Sequence, residues 1–173
     1  MTVYSLLRTG YLFCALAALA ASLSSCPAAE APLATASISV GVEGAAPQQL
    51  DAAALAKLPQ HQIHAEAHGK TVACEGPTLI DVLTGAGAPG GDKLRGRNLE
   101  LYVRISAADG YHAVFALAEL DPGFRDDVAI VTNRCDGAPL DAKDGPFRLV
   151  VPGEKRRARW VRQVTAIDLL RAP

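Results

Sequence analysis

An alternating stretch in the middle of the chain restricts the possible folds more than any other feature. Every second residue from Leu99 to Ile105 is apolar, which predicts a strand with one buried face. Asp109-Gly110 then gives a strong turn signal, and the alternation resumes from Tyr111 to Phe115. The pattern predicts an antiparallel hairpin, so the fold must contain a sheet with a core against one of its faces.

Other short segments have the features of strands or helices. Apolar or alternating runs predict further strands at residues 38–42, 61–65, 71–73, 128–131 and 147–151. Asp51 begins a predicted helix that Pro59 stops. Thr78 and Asp81 have capping-box spacing, which predicts a second helix that ends at Gly85 or Gly87.

The C-terminal segment carries two patterns. Trp160, Val164 and Ile167 have the spacing of one helical face, whereas Ile167 and Leu169 then alternate like a strand. Strands and helices do not alternate strictly along the chain, as they would in a doubly wound parallel sheet. The sequence therefore predicts a single β-rich domain of the α+β class.

The first 26 residues have the features of an export signal. Arg8 provides the positive region, and an apolar stretch follows at residues 11–23. Leu23-Ser24-Ser25-Cys26 resembles the bacterial lipobox, in which the cysteine becomes lipidated; Pro27 is unusual there, so ordinary cleavage near Ala28 stays open. Both alternatives predict a periplasmic protein, and only the first anchors it to a membrane.

Composition places a tether and one domain after the signal. Residues 27–36 are rich in Ala and Pro and form a predicted flexible tether, and residues 37–173 form the predicted domain.

The chain has a net charge of −1, which gives no argument for a nucleic-acid partner. Five basic residues nonetheless lie within eight positions: Lys155, Arg156, Arg157, Arg159 and Arg162. Such a cluster could bind a phosphate or form a solvated loop.

The predicted domain contains two cysteines, Cys74 and Cys135. In an oxidising compartment they could pair, and on the chain-entropy model such a loop closure would stabilise the fold by roughly 4 kcal/mol. The spacing does not show whether they lie within bonding distance, so a free buried thiol stays the alternative.

Three motifs together resemble one family. They are CEGPTLIDVLTGAG from Cys74 to Gly87, the Ala108–Tyr111 turn that leads to FALAEL, and GPFRLVVPGEKRRARWVRQVTAI from Gly145 to Ile167. The chain resembles the sulfite-oxidase-like molybdopterin-binding domain over nearly all of residues 37–170. The resemblance implies a β-rich mixed fold in which a pterin phosphate lies in a positively charged pocket.

The resemblance also implies cofactor-binding residues. Val161-Arg162 matches by position the Val-Lys of the family's C-terminal motif, so Arg162 is the first candidate to bind phosphate, and a guanidinium can bind phosphate bidentately. Arg159 is the second candidate. The alternative is that both arginines cover the surface or pair with carboxylates such as Asp168.

The metal ligand of that family is missing from its expected place. Its molybdenum is bound by a cysteine upstream of the Gly-x-x-Leu segment, and the matching residues 45–68 contain no cysteine. Cys74 is a candidate metal ligand, although it occupies a position where the family has a large apolar side chain. His64 and His68, which would share one face of a strand, are candidate ligands for copper or zinc. Exposed positions on an edge strand would explain them as well.

These observations predict an exported module that binds a small anion or a periplasmic partner, with no molybdenum and no other cofactor. The alternative is a minimal molybdopterin-dependent oxidoreductase whose metal is held by the pterin alone or by Cys74, with Cys74 a free thiol in a pocket with Arg162.

Overall fold

The computed structural model describes residues 36–67, 69–126 and 128–173. The predicted signal, Cys26 and all of the predicted tether except residue 36 lie outside the described residues, as does His68. Export, cleavage and lipidation therefore stay predictions.

Strands dominate the described part of the chain. In chain order they are β1 (Ser37–Val42), β2 (Gln48–Asp51), β3 (His61–Ala67), β4 (Lys70–Gly76), β5 (Leu101–Ala107), β6 (His112–Ala116), β7 (Ile130–Thr132), β8 (Arg134–Cys135), β9 (Ala138–Pro139), β10 (Arg148–Val150) and β11 (Val164–Arg171). The α-helices are α1 (Ala52–Leu55) and α2 (Leu79–Gly85). Short 3-10 turns cover Gly91–Lys93, Gly96–Glu100, Leu117–Leu120 and Arg157–Arg159.

The largest sheet has the strand order β2-β1-β11-β5-β6. β1 and β11 run parallel, with Val40 opposite Ile167, and the other neighbours are antiparallel. Both of these residues are almost completely buried, because alternate side chains of the two strands face the core. The first and last strands of the described chain therefore lie side by side inside the sheet.

The remaining strands form two smaller groups. One sheet has the order β3-β4-β8-β9, and β10 pairs with β7. The buried Thr132 links the groups, because its hydroxyl lies 2.6 Å from the carbonyl oxygens of both Glu75 and Arg134. The predicted β-rich α+β class is confirmed.

β4 and β7 approach each other unusually closely at Gly76. A Cβ at this position would lie 2.1 Å from the carbonyl oxygen of Val131, well inside any normal contact. Only glycine fits here, because the obstructing atom belongs to the backbone and cannot rotate away.

The central hairpin is confirmed as β5 and β6. Its turn contains Gly110 at φ 84, and the Asp109 side chain accepts a hydrogen bond from the Tyr111 amide at 2.9 Å. The strand begins later than the alternation predicts, at Leu101. Leu99 lies in a 3-10 turn and is half exposed.

Both predicted helices form, and their caps explain where they begin. The Asp51 carboxylate accepts from the Ala54 amide at 2.7 Å, although α1 ends at Leu55, earlier than the predicted stop. Thr78 Oγ1 accepts from the Asp81 amide at 3.0 Å and donates to its carboxylate at 2.6 Å, so the predicted cap of α2 is confirmed.

The predicted helical face at the C-terminus is wrong. Trp160 follows a 3-10 turn, and residues from Val164 onward form β11. The pairing of β11 with β5 shifts register at Thr165, between Val164 and Ala166. This bulge adds one residue, so Val164 and Ile167 both face the core although they are three positions apart.

Candidate anion-binding site

A cavity of about 560 Å³ lies beside the C-terminal basic segment. Its walls combine apolar and charged side chains: Val72, Cys135, Leu140, Asp141, Lys143, Asp144, Arg148, Arg157, Trp160 and Arg162. Three guanidinium groups and one ammonium group thus face the same space as two carboxylates. The excess of positive charge makes this cavity the strongest candidate for an anion site.

Backbone pairing brings Arg148 and Arg162 to the same wall. The Leu149 amide donates to the Val161 carbonyl at 2.8 Å, and the Val164 amide donates to the Phe147 carbonyl at 2.9 Å. The segments around Arg148 and Arg162 therefore run side by side. Arg162, the first predicted phosphate ligand, is the exposed one of the three arginines that line the cavity.

Trp160 provides an apolar surface for the other two arginines. The guanidinium carbons of Arg148 and Arg157 lie 5.5 Å and 5.7 Å from the centre of its ring. These distances are within the range of cation–π contacts. The indole is itself buried, and its Nε1 donates to the Val151 carbonyl at 2.6 Å, so the ring is held in one orientation.

The Arg148 side chain is only 15% exposed, and it forms an ion pair with Asp144. Burial lowers the pKa of Arg148 below its ordinary value; Asp144 opposes this effect, while the charges of Arg162 and Arg157 add to it. The like charges therefore repel one another inside the cavity wall. An anion that binds among them would relieve that repulsion.

Two buried donors of this cluster lack a hydrogen-bond partner among the described residues. They are Nε of Arg148 and Nη1 of Arg157. Buried donors on charged groups are normally satisfied, and leaving one without a partner costs about 1–3 kcal/mol. Both atoms have almost no exposed surface, so an oxygen-rich anion could accept hydrogen bonds from them only if the side chains turned toward the cavity.

Arg159, the second predicted phosphate ligand, lies away from this cavity. Its guanidinium donates to Glu154 and, at 3.0 Å, to Glu119, and it lies 4.4 Å from the centre of the Phe115 ring. Burial alone would lower the pKa of Arg159, but the hydrogen bond to Glu154 and the negative charge of Glu119 raise it overall. Arg159 thus pairs with carboxylates, although not with Asp168, which accepts from Arg104 at 3.1 Å.

A disulfide joins Cys74 on β4 to Cys135 on β8. The two cysteines are directly opposite each other in the sheet, with their Cα atoms 4.1 Å apart. The pairing that the sequence left open is therefore present. In this bonded state Cys74 has no thiolate for a metal, so the version of the oxidoreductase alternative in which Cys74 binds the metal does not fit this structure.

Of the two candidate metal-binding histidines, the structure describes only His64. His64 is exposed on β3, which is an edge strand, and the Nε2 atom of His61 lies 3.6 Å from an Asp81 carboxylate oxygen. His68 lies outside the described residues. Within residues 36–67, 69–126 and 128–173, no group of three or more His, Cys, Asp or Glu side chains is arranged to hold a metal ion.

Arg148 was not predicted from the sequence as a site residue. It lies in the apolar run FRLVV, where an arginine is out of place on a strand that is otherwise buried. That mismatch was a usable signal, because charged residues are rarely buried without a partner or a function. The contribution of Arg157 was visible only as one member of a basic run.

Comparison with protein-family models gave no match, and comparison with curated proteins gave none either. Among the described residues, none of the helices has the length and apolar character that a membrane crossing requires.

Proposed function

We propose that this protein is an exported, periplasmic binding module that holds a small oxyanion among Arg148, Arg157 and Arg162. The proposal rests mainly on the composition of one cavity, which three guanidinium groups line. Two buried nitrogens of these groups have no hydrogen-bond partner among the described residues. Repulsion between like charges costs free energy, and a bound anion would offset that cost.

We also propose that the fold is of the sulfite-oxidase-like molybdopterin-binding type. Support comes from the three sequence motifs and from the basic cavity, which contains Arg162 at the position that the motif singles out. The residues present fit only part of the family's cofactor. The arginines suit its phosphate, but the two cysteines of the described domain are bonded to each other and supply no thiolate for molybdenum.

The chemistry of the module follows from its own side chains. Arg157 and Arg148 would donate hydrogen bonds to the anion from the wall beside Trp160, and Arg162 would close over it from the exposed rim. Lys143 adds a further positive charge at the cavity. An acidic group of a periplasmic partner could enter the same cavity, and a lipid anchor at Cys26 would hold the module at a membrane surface.

Titration calorimetry with inorganic phosphate and with pyrophosphate tests the proposal directly. We expect binding at low ionic strength that weakens with salt, because part of the attraction is electrostatic. Arg162→Gln should weaken binding by roughly tenfold, a loss typical of one charged hydrogen bond.

Arg156→Gln is the matched control, since Arg156 is exposed, carries the same charge and lies outside the cavity wall. If both variants lost the same amount of affinity, the anion would be attracted only by the general positive charge of the segment and not by a specific site. No binding of either anion to the folded protein would overturn the proposal.

Molybdenum analysis and pterin fluorescence after acid oxidation test the oxidoreductase alternative. The protein should be purified from the periplasm of molybdenum-replete cells of its own host. We expect neither metal nor pterin in stoichiometric amount, whereas near-stoichiometric amounts of both would establish the alternative.

A further inference from the structure

The disulfide borders the same cavity as the arginines, and its two sulfurs have different surroundings. Cys74 is 1% exposed and belongs to the core, whereas Cys135 is half-buried and lines the cavity. A molecule that enters the cavity therefore meets Cys135 first. Attack on Cys135 makes Cys74 the leaving group, and burial slows this step because it disfavours the charged thiolate.

The charge of the cavity selects among the molecules that could reach this sulfur. Thiol–disulfide exchange begins with attack by a thiolate, and the rate depends on its access and on the stability of the departing thiolate. Arg148, Arg157 and Arg162 would concentrate a thiol that also carries a carboxylate or sulfonate. Nearby guanidinium groups also stabilise a cysteine thiolate, which favours release of Cys135 in a second exchange.

We infer that the Cys74–Cys135 disulfide is a redox-active centre that exchanges with small anionic thiols bound in the arginine cavity. The inference rests on the proposed anion site and adds a reaction to it. The incoming thiolate attacks Sγ of Cys135, a new S–S bond forms, the Cys74–Cys135 bond breaks, and Cys74 departs as a thiolate that takes a proton from water.

A second thiolate completes the reaction. It attacks the small-molecule sulfur of the mixed disulfide and expels Cys135 as a thiolate. Two small thiols are thereby oxidised to their disulfide, and the protein disulfide is reduced to two thiols. The protein disulfide supplies the oxidising equivalents, so a single turnover needs no other co-reactant.

Three thiols of similar size and different charge test the inference on the native, disulfide-bonded protein. They are 2-mercaptoethanesulfonate, 2-mercaptoethanol and cysteamine, with rate constants expressed per thiolate. At low salt the sulfonate should react on the order of tenfold faster than cysteamine, and the difference should shrink as salt is added. Arg162→Gln should reduce that preference, and Arg156→Gln should preserve it.

Rapid alkylation followed by peptide mass spectrometry identifies the attacked sulfur. The small thiol should be found on Cys135 and the alkyl group on Cys74. Equal rates for the three thiols, an adduct on Cys74, or no reaction before unfolding would each overturn the inference.

Inorganic phosphate separates this inference from the proposed function. If phosphate occupies the cavity, it should slow the sulfonate reaction with an inhibition constant equal to its own Kd. Phosphate binding without any charge-selective exchange would overturn the redox reaction and leave the anion module intact. No binding of phosphate or pyrophosphate, together with equal rates for the three thiols, would overturn both.

Discussion

At the scale of single residues, the partners of each arginine distinguish its role. Arg159 has two carboxylate partners, Glu119 and Glu154, which balance its charge within the fold. Arg148 forms an ion pair with one carboxylate, that of Asp144, and it lines a cavity that contains two further guanidinium groups. The first arrangement is that of a structural ion pair, and the second leaves positive charge available for a ligand.

Asp144→Asn should therefore separate stability from binding. Removal of the charged partner of Arg148 should lower the free energy of unfolding by about 1–3 kcal/mol. The same change removes a negative charge from the cavity wall, so phosphate should bind several-fold more tightly, on the order of 1 kcal/mol of attraction.

Urea unfolding and calorimetry measure the two effects on the same samples. Asp92→Asn, at an exposed site outside the cavity, is the control and should change neither quantity. Weaker phosphate binding in Asp144→Asn would mean that the carboxylate orients Arg148 for the ligand.

At the scale of secondary structure elements, the sequence predicted those strands and helices that local residue patterns determine. The β5–β6 hairpin follows from strict alternation and a Gly110 turn, and α2 follows from the Thr78 cap. The Thr165 bulge was not visible, because the extra residue makes strand spacing look helical. β8 and β9 are two residues each, too short to give a periodic signal.

The candidate site was predictable only in part for the same reason. Arg162 came from a motif, and the basic run included Arg157. Their convergence with Arg148 depends on pairing between separate chain segments, which a linear pattern does not encode. The disulfide likewise depends on the pairing of β4 with β8.

The close contact between β4 and β7 gives a prediction at this scale. Gly76→Ala should destabilise the fold by at least the usual overpacking cost of about 1–3 kcal/mol, since the new methyl group meets the Val131 backbone. Gly85→Ala is the matched control. Its new Cβ would lie 3.6 Å from a Leu58 methyl group, so it should be neutral or stabilise by about 0.4–1 kcal/mol. Thermal unfolding of both variants checks the prediction, and equal Tm values would contradict it.

At the scale of the whole molecule, the disulfide closes a loop between residues 61 positions apart in the sequence. That loop includes the central hairpin, both strands of which belong to the largest sheet. The bond therefore restricts the conformations of the unfolded chain over much of the described domain.

The double variant Cys74→Ala, Cys135→Ala should lose about 4 kcal/mol of stability on the chain-entropy model. Urea unfolding of the variant, compared with the oxidised and the reduced wild type, measures the loss. The variant and the reduced protein should agree closely. A loss below about 1 kcal/mol would show that the unfolded chain is compact even without the bond, so that the disulfide restricts it little.

The placement of β11 has a consequence for the timing of folding. This strand joins β1 and β2 on one side to β5 and β6 on the other, and it follows every other described strand along the chain. Until residues 164–171 have been synthesised, the sheet can exist only as two separate halves, each with an unprotected edge. A nascent chain of this protein should therefore need chaperones that keep it unfolded until this strand has been synthesised, and its slowest folding step should be the insertion of that one strand.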